Sequence, residues 1–305
     1  MVRGAYGIFY RPARLNLQRF SGNTAAFRGV TTNISNPASF GNPYASFAGP
    51  NPFPWTAPTA ADLASHKFVR PVVTSALDPA TRTSYVQQWN FTVERQLRRD
   101  TGVSLSYVGN RMVKGLSSSE GNPGIYRPGA TAGNVDSRRP YSGIGALKCV
   151  FPFQNSSYHG LQAAFKKQTA NGLTMIANYT YAKCMDDNSQ TIGTVSVTHK
   201  LDANLDYARC DFDVTHYVNL SLVYDIPRLT VLRGIAGHLV NDWSLTSIPS
   251  RQSGMPFSVL SGRDNAFSGP TTNSGNNDLA DQVTSQSGRP AGANALTQYF
   301  NTSGV

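Results

Sequence analysis

Three cysteines are the residues of this sequence with the most specific chemistry. Cys184 and Cys210 bracket a polar stretch and lie at matching ends of two predicted strands, whereas Cys149 stands apart. The absence of any C-x-x-C spacing argues against a zinc site. In an oxidising compartment, a disulfide between Cys184 and Cys210 would close a loop of about 25 residues and contribute about 3 to 4 kcal/mol. The alternative is two unpaired thiols; we predict the disulfide, with Cys149 left free.

Carboxylates and imidazoles are the other residues that could hold a metal. The spacing of the aspartates near Cys184 and Cys210 matches no calcium loop, and the histidines lack any paired metal-binding spacing. We therefore interpret the aspartates as a polar rim and predict neither a metal nor another cofactor. The aspartates are Asp186, Asp187, Asp206, Asp211 and Asp213, and the histidines are His66, His159, His199, His216 and His238.

Motifs of catalysis and of nucleic-acid binding are also missing. The sequence has no G-x-S-x-G, phosphate-binding loop or dinucleotide fingerprint, so we expect it not to be an enzyme. Its formal net charge is +10. The lysines and arginines are scattered or lie in short turns, without a basic helix or an RNA-binding signature, so we expect no nucleic-acid partner.

Runs with a period of two dominate the secondary-structure pattern. In Leu173–Tyr181, apolar residues occupy every second position and Thr174, Asn178 and Thr180 lie between them, which indicates a strand. The run from Phe212 to Tyr224 alternates for about thirteen residues, whereas soluble strands have about five or six. That length suits a tilted strand that crosses a bilayer.

Composition supports the same class of protein. Charged residues make up only 14% of the chain, while Gly (27), Phe (15) and Tyr (14) are plentiful. No apolar run is long enough for a transmembrane helix, and moderate hydropathy with period-two runs is typical of membrane β-barrels. Met1–Tyr10 has no apolar core or cleavage site of a signal peptide, so we expect an exported protein that is incomplete at its N-terminus.

Short turns alternate with long connections along the chain, as in up-and-down barrels, where turns on one side of the membrane are short and loops on the other are long. We predict an all-β, antiparallel up-and-down transmembrane barrel segment of about seven or eight strands with long extracellular loops. The predicted elements are a strand at 1–10, a long loop at 11–80, a hairpin at 83–109, a long loop at 110–155, a hairpin at 156–183, a loop at 184–207, a strand at 208–226, a strand at 242–260 and a loop or tail at 261–305.

Aromatic residues near the predicted strand ends fit the girdles that mark the two membrane interfaces. The Asn, Thr, Ser and Gln faces fit a wet interior. The alternative is that these are the inner faces of a secreted β-sandwich that binds carbohydrate. The candidate interface residues are Tyr85, Trp89, Tyr179, Tyr181, Phe212, Tyr224 and Trp243.

Several segments resemble, in order, the barrel region of the TonB-dependent receptor-like proteins abundant in Acidobacteria. The resemblance extends from Val2 to about Leu260, and the ordered set is more specific than any one motif. The segments are Thr83–Leu97 (TSYVQQWNFTVERQL), Val103–Arg111 (VSLSYVGNR), Tyr158–Gln162 (YHGLQ), Asn178–Lys183 (NYTYAK) with Asp186–Asp187, Asp211–His216 (DFDVTH), and Trp243–Leu245 with Gln252–Phe257 (QSGMPF).

This resemblance implies a bacterial outer-membrane barrel of about 22 strands with a plug domain inside. It implies import of a small-molecule or oligosaccharide ligand, contact with outer-membrane lipid, and coupling to the TonB system through an N-terminal region. No plug, TonB box or terminal aromatic strand is recognisable, so we expect a fragment of the C-terminal part of the barrel. Pro249 puts the pairing of the last predicted strand in doubt. The remaining alternative is a passive or structural barrel, or an adhesin, without energy coupling.

Overall fold

The computed structural model describes residues 1–11, 41, 59–61, 71–168, 172–189, 206–228, 234, 239, 241–269 and 278–280. One sheet contains all ten strands of this part of the chain. They are β1 (Val2–Arg11), β2 (Val72–Leu77), β3 (Ser84–Arg98), β4 (Thr101–Glu120), β5 (Ile144–Gln168), β6 (Leu173–Asp186), β7 (Ala208–Arg209), β8 (His216–Asp225), β9 (Ser244–Ser247) and β10 (Ser250–Gln252).

The strand order follows the chain. The main path runs β1-β3-β4-β5-β6-β8-β10, and each neighbouring pair on it is antiparallel. β7 and β9 pair with β6 and β8, and β2 alone pairs in parallel, with β5. This order confirms the all-β antiparallel class and the up-and-down connection of the strands. None of the helices in the described part is long and apolar enough to cross a membrane.

The register gives the sheet one apolar and one polar face. Because side chains alternate along every strand, paired residues line up in rows across the sheet on the same face. One such row is Phe91, Tyr107, Leu161, Tyr181 and His216. The adjacent row, on the opposite face, is Thr92, Ser106, Gln162, Thr180 and Tyr217.

We call the regular part of the sheet, from β3 to β8, the wall. Neither face of the wall has a packed core. Leu105 and Phe91 on the apolar face are 50% and 52% exposed. Soluble proteins rarely leave so continuous an apolar surface open to water. Apart from Ala182, the apolar side chains that are buried in the described part lie at one end of the strands, beyond the wall: Leu116, Cys149, Val150, Cys184 and Cys210.

β4 and β5 extend much further than predicted. Their pairing continues past Met112 and Ser156 to Glu120 and Lys148, so the predicted loop at 110–155 is reduced to residues 121–143, with short 3-10 helices at Ala132–Asn134 and Asp136–Arg138. The register shifts on either side of Gly115, and Lys114 adopts a positive φ of 58°. Such bulges bend and twist a ribbon. The bulges occur where β4 and β5 continue past the ends of their pairing with β3 and β6.

A second difference is β2, which lies inside the predicted loop at 11–80. β2 pairs with the extension of β5, and its Leu77 packs against Leu116 and Val150. β2 therefore completes a small three-stranded core above the wall. Most of the rest of that predicted loop, and residues 190–205 of the predicted loop at 184–207, lie outside the described residues.

The predicted strand at 208–226 is divided in two. β7 ends at Arg209, a turn follows, and β8 begins only at His216, so Phe212 does not lie in a strand. The predicted loop at 184–207 is shortened because β6 continues to Asp186.

The predicted strand at 242–260 is also shorter. Pro249 stands opposite Leu220 and accepts its N–H at 3.0 Å. Since proline has no N–H to return, the ladder is interrupted there and separates β9 from β10, although both strands pair with β8. Beyond β10, an isolated bridge joins Leu260 to Leu279 in the predicted tail at 261–305.

Candidate functional site: the outer end of the sheet

The two ends of the sheet differ in how its strands are connected. At one end, β3 and β4 are joined by the two-residue turn Arg99–Asp100, and Gly172, with φ 78°, leads into β6. The other end carries residues 121–143, the disulfide region and the extension of β4 and β5. We call it the outer end because long loops of up-and-down membrane barrels lie on the extracellular side.

Aromatic side chains cluster on the apolar face near the outer end. The Tyr107 hydroxyl lies 2.7 Å from Nδ1 of His159, and the Tyr179 hydroxyl lies 2.8 Å from Nδ1 of His216. Trp89 covers Gly109, where any Cβ would lie 2.4 Å from the indole. The indole therefore occupies the space that a side chain at position 109 would need.

The predicted interface aromatics fall at both ends. Tyr85, Trp89 and Tyr181 lie on the apolar face towards the outer end, where Tyr85 also meets Tyr10 at a ring distance of 5.9 Å. Tyr179 lies on the same face in the row of Leu105. Tyr224 and the exposed Trp243 lie at the opposite end, and Phe212 is exposed in the turn after β7. Sequence reasoning missed Tyr107 and His159 as members of the outer cluster, although their alternation with polar residues was a sufficient signal.

Cys184 and Cys210 form a disulfide in the structure, with Cα atoms 5.4 Å apart, and Cys149 is free and buried. Asp213 supports this link. Its Oδ1 accepts the N–H of Cys184 at 2.8 Å, and its own N–H donates to the carbonyl of Cys210 at 2.9 Å. The disulfide therefore holds the turn after β7 against the end of β6.

Asp187 lies just beyond the end of β6 and is 6% exposed. Its two carboxylate oxygens accept the backbone N–H of Asn155 at 3.1 and 3.0 Å. Burial raises the pKa of Asp187 to about 6, and repulsion by Asp186 adds to this, while the hydrogen bonds from Asn155 act in the opposite direction. No group of potential metal ligands occurs in the described residues. Asp187 and Asp213 instead accept hydrogen bonds from the backbone N–H groups of Asn155 and Cys184.

The outer cap is the structure formed by residues 116–150, β2 and residues 264–269. At its centre, Oε1 of Glu120 accepts the N–H groups of Asn122 and Leu147, both at 2.8 Å. Nη1 of Arg139 lies 3.7 Å from the same Oε1, and both side chains are buried. Buried charges need such pairing and hydrogen bonding because removal from water is costly.

Asn122 closes the same network. Its side-chain amide donates to three backbone carbonyls between Tyr141 and Gly145 at 2.9 to 3.1 Å, and its Oδ1 accepts the N–H of Tyr141. One fully buried side chain thus replaces the backbone partners that the two strands lose where their ladder ends. The sequence gave no signal for this role, since Asn122 lies in a stretch typical of a loop.

Two arginines bind residues 267–269, the part of the outer cap that is most distant in the sequence. Arg138 donates to the carbonyl of Phe267 at 2.6 Å, and Arg139 donates to that of Gly269 at 3.2 Å. The N–H of Gly124 donates to the carbonyl of Ser268 at 2.9 Å. The segment after β10 therefore returns to the top of β4 and β5.

Comparison with known families identifies this architecture. The family model described as outer membrane beta barrel domain matches residues 1–305. The chain belongs to this family. No curated protein matches it.

An outer membrane beta barrel domain lies in the bacterial outer membrane, so its apolar face lies against lipid and its polar face towards the lumen. The rows of the wall between the short turns and Trp89 are the membrane-spanning part. The outer cap and Asp187 lie outside it.

The barrel places Leu105 near the middle of the lipid face and Ser104 next to it on the lumen face. We expect Leu105→Arg to lower the free energy of unfolding by about 2 to 4 kcal/mol, because lipid cannot solvate the guanidinium group. Ser104→Arg is the matched control and should change it little, since the opposite residue in the register is Glu94. Reversible urea unfolding of the intact protein in phospholipid vesicles measures both; equal losses would contradict the assignment of the faces.

The disulfide gives a second expectation. Under denaturing, non-reducing conditions a maleimide should label one thiol, Cys149, and after reduction it should label all three cysteines. Without denaturation Cys149 should react slowly, because burial, with Glu120 and Asp78 adding to it, raises its pKa to about 11. Labelling of Cys184 or Cys210 before reduction would contradict the link.

Asp187 makes the stability of the outer end depend on pH. Because the folded pKa, about 6, exceeds the ordinary 3.8, the folded rim binds more protons than the unfolded chain between these values. The stability that this carboxyl contributes is therefore fully present below pH 3.8, and it is lost as the pH rises through about 6. Hydrogen exchange at the Asn155 amide, corrected for the intrinsic rate, should show protection decreasing from pH 4 to 7.

Asp187→Asn keeps the shape of the side chain and removes its titration. This variant should abolish the pH dependence while it preserves protection at low pH. An unchanged pH dependence in the variant would assign the effect to another group.

Proposed function

We propose that this domain is the barrel portion of a TonB-dependent outer-membrane receptor, of the type abundant in Acidobacteria, that imports a ligand. The observation that carries the proposal is the lumen face of the wall, which consists largely of short polar side chains. They include Asn90, Thr92, Ser104, Ser106, Gln162, Asn178, Thr180, Asn219 and Ser221.

A narrow membrane barrel of about eight strands fills its interior with its own side chains, whereas wide barrels contain water or a plug. Short polar residues on the lumen face therefore favour a wide barrel, because they are too small to fill a narrow one. A barrel of about 22 strands with a plug is the arrangement that the sequence resemblance implies, and it would be coupled to TonB through an N-terminal region.

The outer cap supports ligand capture. Its buried network fixes residues 121–143, and these residues expose Ile125, Tyr126 and Tyr141. Exposed aromatic side chains on a rigid support are typical of binding surfaces, because they lose little conformational entropy on contact. A small molecule or an oligosaccharide would suit such a surface, and we expect transport rather than catalysis.

A passive or structural barrel, or an adhesin, is the second candidate. The same rigid cap favours it, since an adhesin also presents fixed aromatic groups to a partner. Membership of the outer membrane beta barrel domain family removes the secreted β-sandwich from the alternatives.

Two measurements on the full-length protein separate these candidates. A plugged receptor should show no steady conductance in planar lipid bilayers and should bind the purified periplasmic domain of TonB. A passive barrel should conduct steadily and should not bind that domain. Steady conductance without TonB binding would overturn the import proposal.

A further inference from the structure

Basic side chains form a distinct group on the lipid face, immediately outside the aromatic cluster. Arg111 lies two residues beyond Gly109, the partner of Trp89 and His159, and therefore on the same face; Lys183 lies directly beside His159. Both Arg111 and Lys183 are exposed, and neither side chain makes a hydrogen bond or ion pair within the described residues. They therefore present uncompensated positive charge on the surface that faces the membrane.

A cavity of about 520 Å³ lies at the same level. Trp89, His159 and Tyr207 supply aromatic surface to its lining, and Arg111 supplies a guanidinium group. Ser156, Ser157 and Asn155 add polar groups, and the hydroxyls of Ser157 and Tyr207 lie 3.0 Å apart. The volume falls within the range of about 300 to 1,000 Å³ that small ligands occupy.

The lining favours a phosphorylated sugar over a hydrocarbon chain. Aromatic rings pack against the apolar face of a sugar, hydroxyl and amide groups bind its hydroxyls, and a guanidinium group binds phosphate through two parallel bonds. Asp187 is the acidic residue in the lining, and its carboxylate oxygens already accept hydrogen bonds from Asn155. The positive charges of Arg111 and Lys183 therefore outnumber the negative charge at this site.

The position of the cavity identifies the source of such a group. It opens on the lipid face just beyond the aromatic cluster, where the headgroups of the outer leaflet lie. We propose that Arg111, Lys183 and the cavity beside Trp89 bind the phosphorylated sugar headgroup of an outer-leaflet lipid. The site is independent of import through the lumen, since none of its residues belongs to the polar rows of the wall.

The test uses the full-length protein in neutral detergent with phosphorylated lipid A as the probe. Loss of both charges in the variant Arg111→Gln with Lys183→Gln should weaken binding at least about tenfold, the effect of one charge-assisted hydrogen bond. Arg95→Gln is the matched control, because Arg95 is exposed on the same face at the opposite end. It should change the dissociation constant by less than about twofold.

Two further measurements on the unaltered protein keep the test independent of folding. Lipid A without phosphate should bind at least about tenfold more weakly than the phosphorylated form. Free glucosamine phosphate should bind much more weakly still, because it lacks the chains that lie along the lipid face. Equal binding of the variant, of the dephosphorylated lipid or of the free sugar phosphate would each overturn the proposal.

Discussion

Backbone hydrogen bonding within the sheet is the constraint on which the rest of this domain depends. Lipid offers no partner to an N–H or C=O group, so each strand that crosses the membrane must satisfy these groups through its neighbours. From β3 to β8 the wall meets this condition with regular antiparallel pairs. The fixed register then decides which side chains meet lipid, because a shift of one residue would exchange the two faces.

The same constraint explains which parts of the fold were predictable. Inside the membrane, lipid and lumen impose opposite polarities on alternate residues, so the pattern of Leu173–Tyr181 was sufficient to place β6. Beyond it, water lies on both sides and alternation carries no information. Ser117–Glu120 therefore has the composition of a loop, although these residues are buried in the extension of β4.

For the same reason, only part of the candidate site could be predicted from the sequence. The pairing of Cys184 with Cys210 could be inferred from the sequence, because it follows from where strands end. The cap could not be, since its stability depends on contacts between residues far apart in the chain. Glu120 meets Arg139 across the loop, and Arg138 reaches Phe267 from a different part of the sequence. Neither partner can be inferred from local composition.

The outer end shows how side chains take over when the ladder stops. At the tip of β4, Glu120 and Asn122 accept and donate the bonds that a neighbouring strand supplies elsewhere. At the end of β6, Asp213 does the same for the N–H of Cys184, and the disulfide fixes the distance between the two segments. These groups lie outside the membrane-spanning rows, so their bonds are not required for insertion, but their burial makes the bonds necessary to the folded outer end. Their effect is to hold the cap in one conformation, and a surface that binds a ligand from the medium benefits from that order because less entropy is lost on binding.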